Sequence, residues 1–341
     1  MPTLATDTKE RIAVIGGGSW GTAFASMLSE RHGDVSLWVR EPEVCAAIRS
    51  ERENPAFLPG VIVPEGVRPT TDLGEALAGR GIVALAVPSQ HLRGVAAAAG
   101  PHLVPGAALV SLAKGLESGT LLRMTEVLAQ VLPRSRAGLA VLSGPTFARE
   151  VAGGLPSGAT VASEDPKVAS ALQEAFSGNR FRVYATTDVT GIEIGGALKN
   201  VMAIAAGMSD GLGFGHNARA LLITRGLAEI SRVGRRLGAD PQTFYGLSGL
   251  GDLVLTCTGD LSRNRTVGVR IGRGEKVADI LSNMKMVAEG VMTASAAADL
   301  SRRTGEAMPI SEQVHLILHE GKDVRAAVTE LLSRALRKEK D

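Results

Sequence analysis

Short, nearly uninterrupted apolar runs alternate with stretches of helical periodicity through the first half of the chain. The runs are Ile12–Ile15, Val35–Val39, Gly81–Val87, Ala107–Leu112 and Leu139–Leu142, followed by Ala159–Ala162 and Phe181–Tyr184. A strand that is apolar on both faces must be covered on both faces. The alternation therefore predicts a mostly parallel sheet between two layers of helix. Near Thr190 the pattern changes, and from Ile192 onward the spacing predicts successive helices and no strand. Asn217 to Leu237 is the best-defined of these, with Asn217 as a candidate N-cap, Arg235 and Arg236 in the last turn and Gly238 just past the end. Further helices are expected over Glu289–Thr304, Ile310–Glu320 and Val324–Leu336, punctuated by Gly305 and Gly321. The expected division is an α/β domain over residues 1–190 and an all-α domain over 191–341.

The first apolar run leads into Arg11-Ile-Ala-Val-Ile-Gly-Gly-Gly-Ser-Trp-Gly-Thr-Ala-Phe-Ala25, which reads as a strand, a tight turn and a helix start. In this G-x-G-x-x-G turn Gly16 allows the sharp bend, Gly18 lets a pyrophosphate approach the backbone, and Gly21 lets the helix pack close to the strand. The free amides and positive end of the helix favour phosphate. A second strand, Val35-Ser-Leu-Trp-Val-Arg40, ends about 20 residues further on, the spacing of a dinucleotide site. The fold class expected is α/β, with a Rossmann-like N-terminal domain built on a mostly parallel sheet and an all-α C-terminal domain. Arg40 stands where an acidic residue would accept the adenosine ribose. A guanidinium there suits a 2′-phosphate, so NADP(H) is expected in preference to NAD(H), with NAD(H) possible. The alternative is that Arg40 is a solvated strand end and Glu41 takes the ribose.

Composition narrows the class further. The 341 residues are 45% hydrophobic and 21% charged with a formal net charge of +2, an ordinary globular balance with no long basic block for nucleic acid. Cys45 and Cys257 are far apart and in no metal or C-x-x-C spacing, as in a reducing compartment. The first residues lack the apolar core of a signal peptide, and no apolar run is expected to reach the ~18 residues of a membrane span. A cytoplasmic protein without integral membrane association is expected. His315 and His319 are spaced i, i+4 but have no third ligand, so no metal is expected. No Gly-Lys-Ser/Thr follows the glycines, and Gly246-Leu-Ser-Gly-Leu250 lacks the last glycine of a nucleophile elbow.

In open α/β sheets ligands bind beyond the C-terminal ends of the strands. Candidate loops there are Val87-Pro-Ser-Gln90, Leu112-Ala-Lys-Gly-Leu-Glu117 and Leu142-Ser-Gly-Pro-Thr-Phe-Ala148. Lys114 is a cation ending an apolar strand; its plainer reading is a surface lysine. Gly195-Gly-Ala-Leu-Lys-Asn200 places Lys199 in an apolar helical stretch at the domain junction, where its charged form is disfavoured and its pKa can fall to a useful value. The plainer reading is a lysine snorkelling to solvent. Asp252, between apolar residues, could orient a catalytic ammonium or cap a helix. Ser262, Arg263 and Asn264 offer consecutive donors to an anion, or form a solvated turn.

In this order GGGSWGTAFA, AVPSQ, SLAKGLE, LSGPTFA, GALKNVMAI, NARALLITRG, GLGDLVLTCT and SRNR resemble the bacterial glycerol-3-phosphate dehydrogenase family, the soluble NAD(P)-dependent type, from about residue 11 to about residue 320. The resemblance implies that Gly16, Gly18, Ser19, Trp20, Gly21, Arg40, Ala148, Val287 and Glu289 serve the dinucleotide. It implies that Lys114, Gly144 and Thr146 hold substrate, with Lys114 also near the cofactor. Lys199 matches the family's catalytic lysine. Asp252, Ser262, Arg263 and Asn264 match substrate-binding positions, with Arg263 bridging to the cofactor. It further implies a homodimer and reduction of dihydroxyacetone phosphate to sn-glycerol 3-phosphate for phospholipid synthesis. Departures are mild: Gly259-Asp260 precedes Ser262, and His216 stands where the family commonly has Asp. A reductase of the 6-phosphogluconate dehydrogenase-like group would carry a K-x-x-x-N helix, whereas Lys199 and Asn200 are adjacent. A non-catalytic dinucleotide sensor could dispense with the lysines.

Overall fold

The computed structural model describes residues 11–133, 138–284, 288–336 and 338–339. Its first half holds ten strands: β1 (Ile12–Ile15), β2 (Val35–Trp38), β3 (Glu53–Asn54), β4 (Leu58–Ile62), β5 (Val67–Thr70), β6 (Ile82–Leu85), β7 (Ala108–Ser111), β8 (Leu139–Ser143), β9 (Ser157–Ala162) and β10 (Phe181–Thr186). Helices α1 (Ser19–His32), α2 (Pro42–Glu51), α3 (Leu73–Leu77), α4 (Leu92–Ala99), α5 (Met124–Val131), α6 (Ala148–Ala152) and α7 (Pro166–Phe176) are interleaved with them. Eight strands form one sheet in the order β10-β9-β8-β7-β6-β1-β2-β5, and β3 and β4 form a separate hairpin. All neighbours in the large sheet run parallel except β8 and β9, so the last two strands oppose the rest.

Alternate residues of the central strands enter different cores. Ile12 and Val14 join one apolar cluster while Ala13 and Ile15 join another. Ile82 and Ala84 part from Val83 and Leu85 in the same way. The period-2 geometry of a strand turns a continuous apolar run into two covered faces. Because β1 pairs with β2 on one side and β6 on the other, the chain reverses its winding there, and a crevice opens beyond the end of β1.

The remaining chain is helical: α8 (Val189–Gly211), α9 (Gly215–Arg236), α10 (Asp252–Thr258), α11 (Arg263–Gly272), α12 (Val277–Ser282), α13 (Glu289–Thr304), α14 (Pro309–Glu320) and α15 (Val324–Leu332). α8 is buried around most of its circumference and forms the axis on which α9, α10, α11, α13 and α14 pack. By length and composition it could cross a membrane, contrary to the expectation that no run would reach that length. However, 94% of its most apolar window is buried inside the protein, as for a core helix. A third cluster holds this part together, joined from the first half by Leu116.

Several boundaries differ from the sequence reading. β5 was not anticipated, since Val67-Arg-Pro-Thr70 hides its period behind Arg68 and Pro69. It is an edge strand, where a missing N–H does little harm. α9 starts at Gly215 with no side-chain cap, so Asn217 lies inside the helix. α15 ends at Leu332 rather than Leu336. Gly305 and Gly321 do end their helices in the left-handed conformation.

Candidate active site

The glycine turn lies at the crevice. Gly16 has φ +120°, and a Cβ there would meet Ala86 O at 2.6 Å; at Gly21 it would meet Gly16 O at 1.9 Å. Those two positions accept no side chain, the first for conformation and the second for packing. A Cβ on Gly18 would meet nothing within 4 Å, so open space lies over the backbone where α1 begins. The turn is held from behind by Asn54, which is fully buried and donates to Gly17 O and Thr22 Oγ1, each at 2.8 Å. Ser19 Oγ donates to Phe57 O at 2.6 Å, and Trp20 packs on Phe24. Arg40 is exposed beyond β2 and its guanidinium donates to Glu41 Oε1 at 2.9 and 2.5 Å.

On the same edge of the sheet, three residues distant in sequence converge. Lys114, after β7, donates to Asp252 Oδ2 at 2.7 Å and to Gly144 O at 2.9 Å. Lys199, on α8, donates to Asp252 Oδ1 at 2.8 Å and to Thr256 Oγ1 at 2.6 Å. Asp252 opens α10 directly after a π-helical turn, Leu247–Gly251, which sets the carboxylate between the two ammoniums. The side chains of Lys199, Lys114 and Asp252 are 7, 16 and 2% exposed, so one carboxylate is shared by two cations in a nearly dry site.

Electrostatics follow from that sharing. Burial pushes the Lys199 ammonium down to about 8; Asp252 opposes the fall and the Lys114 charge adds to it. Burial by itself would raise the Asp252 carboxyl, but the charges of Lys114 and Lys199 and their hydrogen bonds outweigh it and hold it below its ordinary value. Glu289, half-buried at the start of α13, is raised by burial against the opposing charges of Arg263, Lys199 and Lys114 and the Ser89 amide.

The other sequence candidates are distributed around this centre. Ser262 is buried and caps α11, accepting from Arg265 N at 3.2 Å. Asn264 is also buried: its amide donates to Asn200 Oδ1 at 3.0 Å and its carbonyl accepts from Gly290 N at 3.0 Å. Arg263 is exposed and, among the described residues, forms no ion pair. Thr146 donates to Gly144 O at 3.1 Å, and Ala148 opens α6 beside them. Val287 lies outside the described residues. Three contributors went unread in the sequence: Thr256, Asn200 and Asn54. Thr256 had a signal, the i, i+4 spacing from Asp252 that puts both on one helical face. Asn200 donates to Lys114 O at 3.3 Å and ties α8 to the Lys114 loop.

Residues 11–169 match the family model for the NAD-dependent glycerol-3-phosphate dehydrogenase N-terminus, and residues 188–329 match the model for its C-terminus. The chain belongs to the NAD-dependent glycerol-3-phosphate dehydrogenase family. Its shared carboxylate spans both parts: Lys114 comes from the first match, Lys199 and Asp252 from the second. The chain is 55% identical over 332 residues to a glycerol-3-phosphate dehydrogenase [NAD(P)+] of Geobacter sulfurreducens, covering 97% of this chain and 99% of that one. It is 54% identical over 325 residues to one of Myxococcus xanthus, covering 95 and 97%. A crystal structure of the Coxiella burnetii glycerol-3-phosphate dehydrogenase superposes with a TM-score of 0.90 at 39% identity, covering 95% of this chain and 99% of that one. A PanE/ApbA-family ketopantoate reductase of Ralstonia eutropha reaches a TM-score of 0.58 at 16% identity over 94% of this chain and 99% of its own, a likeness of fold alone.

Proposed function

We propose that the protein reduces dihydroxyacetone phosphate to sn-glycerol 3-phosphate, reversibly, with a nicotinamide dinucleotide. Two ammoniums sharing one buried carboxylate, beside a phosphate-compatible glycine turn, carry that assignment. The turn fits the dinucleotide: Gly18 leaves its backbone open, Gly21 draws α1 close, and the N-cap Gly18 offers no side chain to the first amides of α1. Gly16, Ser19, Trp20, Arg40, Ala148 and Glu289 complete the group that would hold it, with Val287 assigned by resemblance. When bound, the reduced nicotinamide supplies hydride to the ketone carbon.

The protein's own residues supply the proton and the charge. Protonated Lys199 polarises the carbonyl and gives its proton to the oxygen as negative charge develops there. In the reverse direction neutral Lys199 takes the hydroxyl proton, and a titration near 8 makes both states accessible. Asp252 aims the ammonium, and Lys114 adds positive charge while favouring proton release from Lys199. The substrate phosphate falls to Arg263 and Asn264 in the first turn of α11, with Ser262 capping that helix beside them.

Arg40 supports a preference for NADP(H), although it must leave Glu41 to reach a 2′-phosphate. Residues 1–190 are assigned to the dinucleotide and 191–341 to substrate, in keeping with the separate apolar clusters. Exposed Phe214, Leu221 and Leu332 around a groove between α9, α14 and α15 support a homodimer. A cytoplasmic location and a supply of glycerol phosphate to phospholipid synthesis complete the proposal. Steady-state oxidation of NADPH and NADH with dihydroxyacetone phosphate, against a panel of keto acids, tests it. Turnover with a keto acid and none with the phosphorylated ketone would overturn it.

A further inference from the structure

Six residues before Lys199 on α8 stands a carboxylate that the chemistry above does not use. The Glu193 side chain is only 2% exposed, in a largely apolar, buried stretch of the helix. A lone carboxylate there would be costly, and its partners all come from the sheet domain. Thr125 donates to it through its amide at 2.8 Å and its hydroxyl at 2.6 Å, and Arg123 Nη1 lies 3.0 Å away. Thr125 lies in the first turn of α5, so the anion also satisfies an amide that the helix leaves free. Arg123 is held in turn by Glu126 at 3.0 Å. Burial raises the Glu193 carboxyl, and the Arg123 charge is the largest influence against it.

The clamp closes one end of an excursion whose other end is Lys114. Leu116 and Arg123 pair in an isolated antiparallel bridge, and Leu116 is buried in the helical core. Leu121 packs on that core with φ 59°, a left-handed conformation that a leucine holds only where its surroundings over-determine it. Gln90 spans the same excursion, donating to Leu116 O at 2.8 Å and accepting from Ser118 N at 3.0 Å. We propose that Glu193 is a positioning residue. By tying the Arg123 root to α8, the helix that also carries Lys199, it sets how Lys114 meets Asp252.

The kinetic readout rests on the reductase reading; a second readout does not. Glu193→Gln keeps the shape and removes the charge, and Arg123→Met cuts the same contact from the other side should the first variant fold poorly. In either variant kcat for dihydroxyacetone phosphate reduction is expected to fall about 10- to 100-fold, the scale of a ~1 Å misplacement, with the dinucleotide KM unchanged. The upper pH limb should move alkaline, because Lys114 no longer presses the proton off Lys199. The double variant should cost no more than the worse single one. Independently of substrate, the pH dependence of Lys199 acetylation by acetic anhydride, read by mass spectrometry, should shift the same way. A lowered Tm with unchanged kcat and labelling profile would reduce Glu193 to a structural clamp and overturn the proposal. If the wild-type enzyme reduces no dihydroxyacetone phosphate, the substrate assignment fails, and the labelling profile still decides the role of Glu193.

Discussion

Asp252→Asn removes a charge from the site while changing almost no volume. Two unit charges 2.8 Å apart, the Lys199–Asp252 separation, attract by about 6 kcal/mol in an effective dielectric of about 20. That is roughly a 10⁴-fold bias toward the protonated lysine. If the amide dipole and entering water retain half of it, about a hundredfold loss remains. Burial and the Lys114 charge then act on Lys199 without their main opponent, so its titration moves acidic from about 8. In the reductive direction the lysine must carry its proton. The wild-type rate is therefore full below about 8 and declines above it, and the decline in the variant starts at lower pH. In the oxidative direction the neutral lysine is the base, so the rise through about 8 moves to lower pH as well. The assay is kcat/KM against pH in both directions, which reports the free enzyme. A variant that keeps reduction near pH 8 within about twofold of wild type, with neither limb moved, refutes Asp252 as the counter-ion of the proton donor.

Four further variants separate the roles. Lys199→Ala should cut turnover by about 10²–10⁴-fold, the scale of general acid–base catalysis, while dinucleotide affinity measured by fluorescence titration stays unchanged. Arg263→Ala should raise the KM for dihydroxyacetone phosphate by about 10- to 100-fold, the worth of a charged hydrogen bond, with a smaller effect on kcat; an unmoved KM removes Arg263 from the phosphate. Arg40→Ala should weaken NADPH and leave NADH nearly unaffected in parallel titrations, and equal losses would return Arg40 to a solvated strand end. Gly21→Ala sets a Cβ 1.9 Å from Gly16 O, so the helix must move off the strand. A loss of about 1–3 kcal/mol in stability and of dinucleotide binding is expected by calorimetry.

Local patterns carried much of this far. β1, the glycine turn and the start of α1 were legible because each property is local: an apolar run, a left-handed glycine, a helix that must approach closely. The limits of α13 matched their residues because Gly305 stops the helix wherever it lies in the fold. Lys199 stood out as one charge in an apolar stretch. Glu193, two residues before that stretch, is likewise a charge in apolar surroundings, and its partners Arg123 and Thr125 lie about 70 residues earlier in the chain.

The pairing of the charges was a different matter. Nothing near Lys114 in the chain points to Asp252, 138 residues away, and only the packing of α8 against β8 and α10 brings both lysines to one carboxylate. The burial of Ser262 and Asn264, and their bonds to Arg265 N and Asn200, likewise depend on packing that no periodicity records. Propensity and hydrophobic period act over a few residues and so can be read along the chain. A depressed lysine or a satisfied buried carboxylate depends on which groups meet after long stretches of chain have closed, and that is a property of the tertiary structure alone.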